Sequence, residues 1–252
     1  MLSRNDISTI RSLQQKKYRS ETGLFVAEGP KLVSDLSGYF HCRLLASTEE
    51  WSNANSSFKA DRKECVSRQE LEKASLLSTP QDVIACFEIP EHHLALADMA
   101  RSNLVLALDS IQDPGNLGTI ARIADWFGIR DIVCSRGTAD IYNPKAVQAT
   151  MGALARVRFH YTDLEKELSA LPADIAVYGT FLNGENMYQG CQLKGNGIVV
   201  MGNEGNGISH GIERLVNRRL FIPNWPEGAK TSESLNVAVA TAIICAEFRR
   251  PK

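Results

Sequence analysis

Residues 104–122 read Leu104-Val105-Leu106-Ala107-Leu108-Asp109-Ser110-Ile111-Gln112-Asp113-Pro114-Gly115-Asn116-Leu117-Gly118-Thr119-Ile120-Ala121-Arg122. Five consecutive apolar residues ahead of a polar Pro-Gly turn predict a strand covered on both faces, as in a parallel sheet. Beyond the turn, Ile120, Ile123, Ala124 and Phe127 recur at helical spacing, so a helix follows, with Asn116 at its cap. Arg122 lies off that apolar stripe, one turn after Gly118. Helical side chains lean toward the N-terminus, so its guanidinium can reach back toward the turn. Loops at the carboxyl ends of parallel strands are where such sheets place their sites. A capped helix with a solvated arginine is the plainer reading of the same residues.

Outward from this stretch, similar apolar runs recur at Ile132–Cys134, Ile175–Tyr178, Ile198–Met201 and Leu220–Ile222, with helical patterns between most of them. Strands alternating with helices predict an α/β fold whose C-terminal part is a mostly parallel sheet with helices on both faces. Upstream, a helix is expected over Asp6–Arg19, a strand at Leu24–Ala27 and a second helix from Pro30. Extended segments follow near Arg43–Ala46, Glu64–Val66 and Val83–Phe87, with helical patterns around Glu50 and Ser67–Leu77. Pro90 to Arg101 reads as a linker. A boundary near residues 95–102 divides a small α/β domain, 1–98, from a larger one, 102–252.

The composition sets limits. In 252 residues, 28 Lys and Arg face 29 Asp and Glu, so a chain-wide basic coat is ruled out and any nucleic-acid site is a local patch. No apolar run reaches the roughly 18–20 residues that cross a bilayer, and the first residues lack the apolar core of a signal peptide. A soluble, cytoplasmic protein is expected. Six scattered cysteines without a C-x-x-C pair point away from zinc and redox dithiols.

Two further segments carry chemistry. In Met201-Gly202-Asn203-Glu204-Gly205-Asn206-Gly207-Ile208-Ser209 a strand is expected to run into a helix. His210 stands where the dinucleotide fingerprint needs glycine, so that fingerprint is absent. Four glycines around Glu204, at 202, 205, 207 and 211, imply close backbone approach to something flat or anionic; a tight turn is the simpler alternative. In Ile222-Pro223-Asn224 and, after a polar insertion, Ser232-Glu233-Ser234-Leu235-Asn236, the serines and asparagine either cap the helix that follows or face a pocket at its N-terminus. That helix, Ser234 to Arg250, is apolar all round, as for a central helix in a monomer or one shared between its own sheet and a partner subunit.

In order and wording these three segments resemble the signatures of the SpoU (TrmH) family of RNA 2′-O-ribose methyltransferases: N-x-G-x-x-x-R, G-x-E-G-x-G, and I-P followed by S-L-N-V-x-V-A. The first segment of the chain also resembles that family's accessory RNA-binding domain, similar to a ribosomal-protein fold, through Lys16-Lys17-Tyr18-Arg19 and Leu24-Phe25-Val26-Ala27-Glu28-Gly29. Asn224 stands where the family has Met, and the path from Trp225 to Glu233 is longer than usual.

The resemblance implies a deep trefoil knot, S-adenosyl-L-methionine as cofactor, and a homodimer built on the terminal helix. The cofactor would lie against Thr180, Phe181, Leu182, Met201, Gly202, Asn203, Gly205, Ile222, Asn224, Ser234 and Leu235. Arg122 would be the catalytic residue, with Asn116, Glu204, Ser234 and Asn236 around it. A guanidinium is a poor base, so Arg122 is expected to pin an RNA phosphate and stabilise developing alkoxide charge. RNA would also meet the basic stretch Arg11, Lys16, Lys17 and Arg19; a solvated helix face is the plain reading of such a run. The expected substrate is ribosomal RNA, with transfer RNA, or a non-catalytic RNA-binding role on the same scaffold, as alternatives.

Overall fold

The computed structural model describes residues 1–189, 193–226, 230 and 234–250. The chain divides into two compact units: residues 1–91 with 140–156, and residues 92–139 with 157–252.

In the first unit the chain runs α1 (Arg4–Ser12), α2 (Lys16–Thr22), β1 (Leu24–Glu28), α3 (Pro30–Leu36), β2 (Cys42–Ser47), α4 (Glu49–Ala54), β3 (Arg62–Cys65), α5 (Arg68–Ala74) and β4 (Val83–Glu88). The sheet has the order β1-β4-β2-β3, with β2 and β3 parallel and the other pairs antiparallel. One helix was expected where α1 and α2 stand. The chain breaks at Leu13–Gln15 because Ile10, Leu13 and Arg19 all go inward, and the freed carbonyls of Leu13 and Gln14 accept from the Arg19 guanidinium. Arg19 also pairs with Asp140.

The second unit begins with α6 (Leu96–Ser102), inside the stretch expected to be linker. Leu96 and Ala100, one turn apart, are buried in this unit's core, which holds the helix on the sheet despite its weak pattern. There follow β5 (Leu104–Leu108), α7 (Pro114–Trp126) and β6 (Asp131–Ser135); then α8 (Pro144–Thr150), which belongs to the first unit; then β7 (Arg158–Thr162), α9 (Leu164–Ser169), β8 (Val177–Asn186), β9 (Gly197–Met201), α10 (His210–Glu213), β10 (Arg218–Phe221) and α11 (Val237–Phe248). All five strand pairs are parallel, in the order β10-β8-β9-β5-β6-β7.

From β5 the chain builds outward through β6 to β7, then crosses to place β8, β9 and β10 on the other side. The order therefore reverses between β5 and β9, and a crevice opens at their carboxyl ends. The central strands are apolar throughout: every residue of β5 and β9 is buried, as a sheet covered on both faces requires. The edge strand β7 was not foreseen, because Arg158, His160 and Tyr161 interrupt its apolar character. Two of its polar groups serve Asp131, which accepts from Arg158 at 2.8 and 2.7 Å and lies 2.9 Å from His160 Nε2.

Candidate active site

Both loops beside the switch point are shaped by side chains that cap and brace them. α7 starts on Asp113, whose carboxylate accepts from the Asn116 backbone N–H at 2.7 Å, with Pro114 in the first turn. Asn116 was expected at the cap; it sits in the first turn instead, and its side chain is left free to point away from the helix. Its Nδ2 donates to Glu204 Oε1 at 2.8 Å. Its Oδ1 accepts from Asn236 Nδ2 at 3.0 Å. Asn236 in turn caps α11, its Oδ1 accepting from Ala238 and Val239. Residues 88 and 120 positions apart in sequence thus form one polar chain.

The Glu204 loop is a turn closed on itself. Asn203 and Gly207 exchange two backbone hydrogen bonds of 2.9 Å, and the Asn203 side chain accepts from Gly205 and Asn206 while donating to Ser110 O. A Cβ on Gly202 would run into the Gly207 carbonyl carbon, so the close approach read from the glycines is, at Gly202, to the chain itself. Gly205 differs: an added Cβ would meet nothing nearer than Asn203 Oδ1 at 3.5 Å, which leaves one side of the turn open. The helix expected after this turn is only the single turn of α10.

Two residues without a role in the sequence reading brace this crevice. Asp109 is buried, and its carboxylate accepts from the Ser209 N–H at 2.8 Å and from the Ser110 hydroxyl at 3.2 Å. Ser110 holds φ at 59°, the left-handed region that non-glycine residues adopt at a cost. Ser135 Oγ and Asn203 Nδ2 hold its backbone there at 2.9 and 2.8 Å. A carboxylate that ends a wholly apolar strand was the one signal in the sequence for Asp109.

The remaining expected residues fall in three places. Arg122 is exposed on α7, and its side chain has no hydrogen bond or ion pair with any described residue. Thr180 lies one residue beyond Gly179, which pairs with Val200, and so stands beside Met201 at the strand ends. Thr180, Phe181, Ile222 and Asn224 are half-buried; Ser234 and Leu235 are exposed at the entry to α11. Leu182 is in β8, but its side chain lies outside the described residues, as do Ser232 and Glu233 of the insertion. In the first unit, Arg11, Lys16 and Lys17 are exposed. Arg19 is not: it is 2% exposed, and its donors are taken by Asp140 and two carbonyls, so the expectation that it meets RNA is corrected.

An all-parallel sheet with a polar chain across its switch point defines an α/β protein that handles a ligand at its strand ends. The SpoU rRNA Methylase family model matches residues 103–246, and the MRM3-like substrate binding domain matches residues 4–85. The chain belongs to the SpoU family of RNA methyltransferases, whose cofactor is S-adenosylmethionine.

Among its relatives, the 23S rRNA (guanosine(2553)-2′-O)-methyltransferase RlmP of Bacillus subtilis is 30% identical over 241 residues, 95% of this chain and 94% of that protein. A TrmH-family protein from Porphyromonas gingivalis is 39% identical in sequence and superimposes with a TM-score of 0.90, covering 99% of this chain and 98% of that one. The AdoMet-bound rRNA methyltransferase from Sinorhizobium meliloti gives 30% identity and a TM-score of 0.83, covering 99% and 95%.

The residues present fit such a cofactor. Half-buried Phe181, Ile222 and Pro223 and exposed Leu235 offer apolar faces. The Thr180 and Ser234 hydroxyls offer donors and acceptors. Apolar walls with a few polar groups suit an adenosine, and the open side of Gly205 leaves space.

Proposed function

We propose that this protein transfers a methyl group from S-adenosylmethionine to a ribose 2′-hydroxyl of ribosomal RNA. The observation that carries the reading is the Asn236–Asn116–Glu204 chain, which joins all three sequence signatures at one crevice. The cofactor supplies an activated methyl group on a sulfonium, so the protein's task is to align the nucleophile and manage a weakly acidic hydroxyl. Asn116, oriented from both sides, holds the ribose edge. Arg122, with no partner among the described residues, takes an RNA phosphate and the charge developing on the ribose oxygen. The proton passes to phosphate or solvent, because a guanidinium has no free lone pair to accept it and does not act as a base.

Several finer features belong to the same reading. Residues 180–182, 201–205, 222–224 and 234–235 form the cofactor pocket within a trefoil knot. The first unit carries RNA binding and the second the reaction, with Arg11, Lys16 and Lys17 on the RNA side. Two copies pair through α11, whose Val239 is 49% exposed beside Leu235 at 48%. Ribosomal RNA rather than transfer RNA is favoured because the relatives are named for 23S rRNA. A cytoplasmic location accords with such a substrate, and no helix among the described residues is long and apolar enough to cross a membrane.

Calorimetric titration with S-adenosylmethionine tests the reading. The wild-type protein is expected to bind in the micromolar range and Asn236→Ala more weakly. Absence of binding at millimolar cofactor, with RNA present as well, would contradict it and favour an RNA-binding scaffold.

A further inference from the structure

β8 leaves the sheet ladder for five residues. Arg219 of β10 pairs with Gly179, yet the next residue, Leu220, pairs with Glu185, so residues 180–184 have no partner on β10. The two ends of this excursion are tightly set. A Cβ on Gly179 would lie 2.9 Å from the Phe181 ring, 3.0 Å from Val216 and 3.1 Å from Ile208; one on Gly184 would run into the backbone of Leu220. Between these ends no residue has a register partner on β10; Phe181 packs against the core of this unit, and Arg219 adds a second hold. Its guanidinium carbon lies 3.6 Å from the centre of the Phe181 ring, and its Nη2 donates to Asn183 Oδ1 at 2.9 Å. Its Nη1 donates to Glu213 Oε1 at 2.9 Å, which aims the planar group from α10. One side chain thus grips the segment at two alternate residues, 181 and 183, on either side of 182. Stacking and forked hydrogen bonding together are what an arginine provides and a lysine does not.

We propose that Arg219 is a positioning residue for the cofactor: by stacking on Phe181 and holding Asn183 it fixes residues 180–184 in the shape against which S-adenosylmethionine binds. This rests on the reading that residues 180–182 wall the cofactor pocket. Arg219 itself touches the ligand only through that segment. An arginine whose three partners are Glu213, Asn183 and an aromatic face has a geometry more specific than a surface ion pair needs.

The test is calorimetric titration of the full-length protein with S-adenosylmethionine, alongside the melting temperature without ligand. Arg219→Ala is expected to weaken binding at least about fivefold while the ligand-free melting temperature stays within about 2 °C. Arg219→Lys, which keeps the charge but loses the fork and the stack, is expected to bind as weakly as Arg219→Ala. Phe181→Leu is expected to weaken binding too, and the double variant Arg219→Ala/Phe181→Leu no further than the worse single change. Wild-type affinity in Arg219→Ala or in Arg219→Lys would overturn the proposal, as would additive losses in the double variant. A fall of more than about 5 °C in melting temperature would also overturn it, since that marks support of the fold rather than of the pocket. Failure of the wild-type protein to bind would bring down the cofactor reading itself; binding by wild type with Arg219→Ala unchanged would sink this proposal alone.

Discussion

Asn116 makes two side-chain hydrogen bonds of opposite sense, donating to Glu204 and accepting from Asn236. Aspartate at this position would set a second carboxylate against Glu204, so Asn116→Asp is expected to lower kcat by roughly 100-fold, in line with losing an oriented polar group at a reacting centre. Single-turnover methylation of an rRNA fragment checks it. Asn236 separates stability from chemistry. Asn236→Asp keeps an acceptor for the Ala238 and Val239 N–H groups but cannot donate to Asn116, so it should lose activity while melting near wild type. Asn236→Ala loses the cap as well, at about 1 kcal/mol in denaturant unfolding. These residues were visible in the sequence as motif members, whereas the direction of each bond was not. The assignment of the cap to Asn116 failed because Asp113, three residues earlier, caps the helix itself by accepting from the Asn116 backbone N–H, which places Asn116 inside the first turn. Arg19 failed for a related reason. A basic residue in a polar run reads as solvated, and only the long-range partner Asp140, 121 positions away, draws it inside.

At the scale of elements, the central strands were legible because their residues are apolar without interruption. β7 and α6 were not, since an edge strand and a short helix hold themselves by a few tertiary contacts rather than by periodicity. β6 and β7 are joined by more than their ladder. Burial alone would raise the Asp131 carboxyl, but hydrogen bonds from His160 and Arg158 outweigh it and hold the pKa below the usual value. A depressed carboxylate pKa contributes stability that is fully present above the unfolded value, about pH 4, and is lost as pH falls through the folded one. Asp131→Asn should therefore destabilise the protein clearly at pH 6 and progressively less below pH 4, as read from urea midpoints. Cysteines report on the elements separately. Burial pushes the Cys42, Cys86 and Cys245 thiols up to about 12, and Cys65 is the one exposed thiol among the described residues. Iodoacetamide at pH 8 should label Cys65 and leave those three unreacted until the protein unfolds, as peptide mass mapping would show.

For the whole molecule, the sequence foretold two parts and an α/β fold, and the structure divides the chain less simply. Residues 140–156 lie within the larger half of the sequence yet pack with the first unit, because burial of Ala146, Val147 and Thr150 depends on side chains far away in sequence. The all-apolar terminal helix left two readings open, and its exposed Val239 is where they part. Pairing through α11 predicts that Val239→Glu turns a dimer into a monomer in sedimentation velocity; a monomeric wild type would contradict that pairing. The central claim is the reaction, and it is tested most directly by incubating the protein with isotopically labelled S-adenosylmethionine and ribosomal RNA, then digesting the RNA with alkali. Label is expected to stay in an alkali-resistant dinucleotide, as a methylated 2′-oxygen requires, and to be lost with Asn116→Asp. Label on a base, or none with either naked RNA or ribosomal particles, would contradict it.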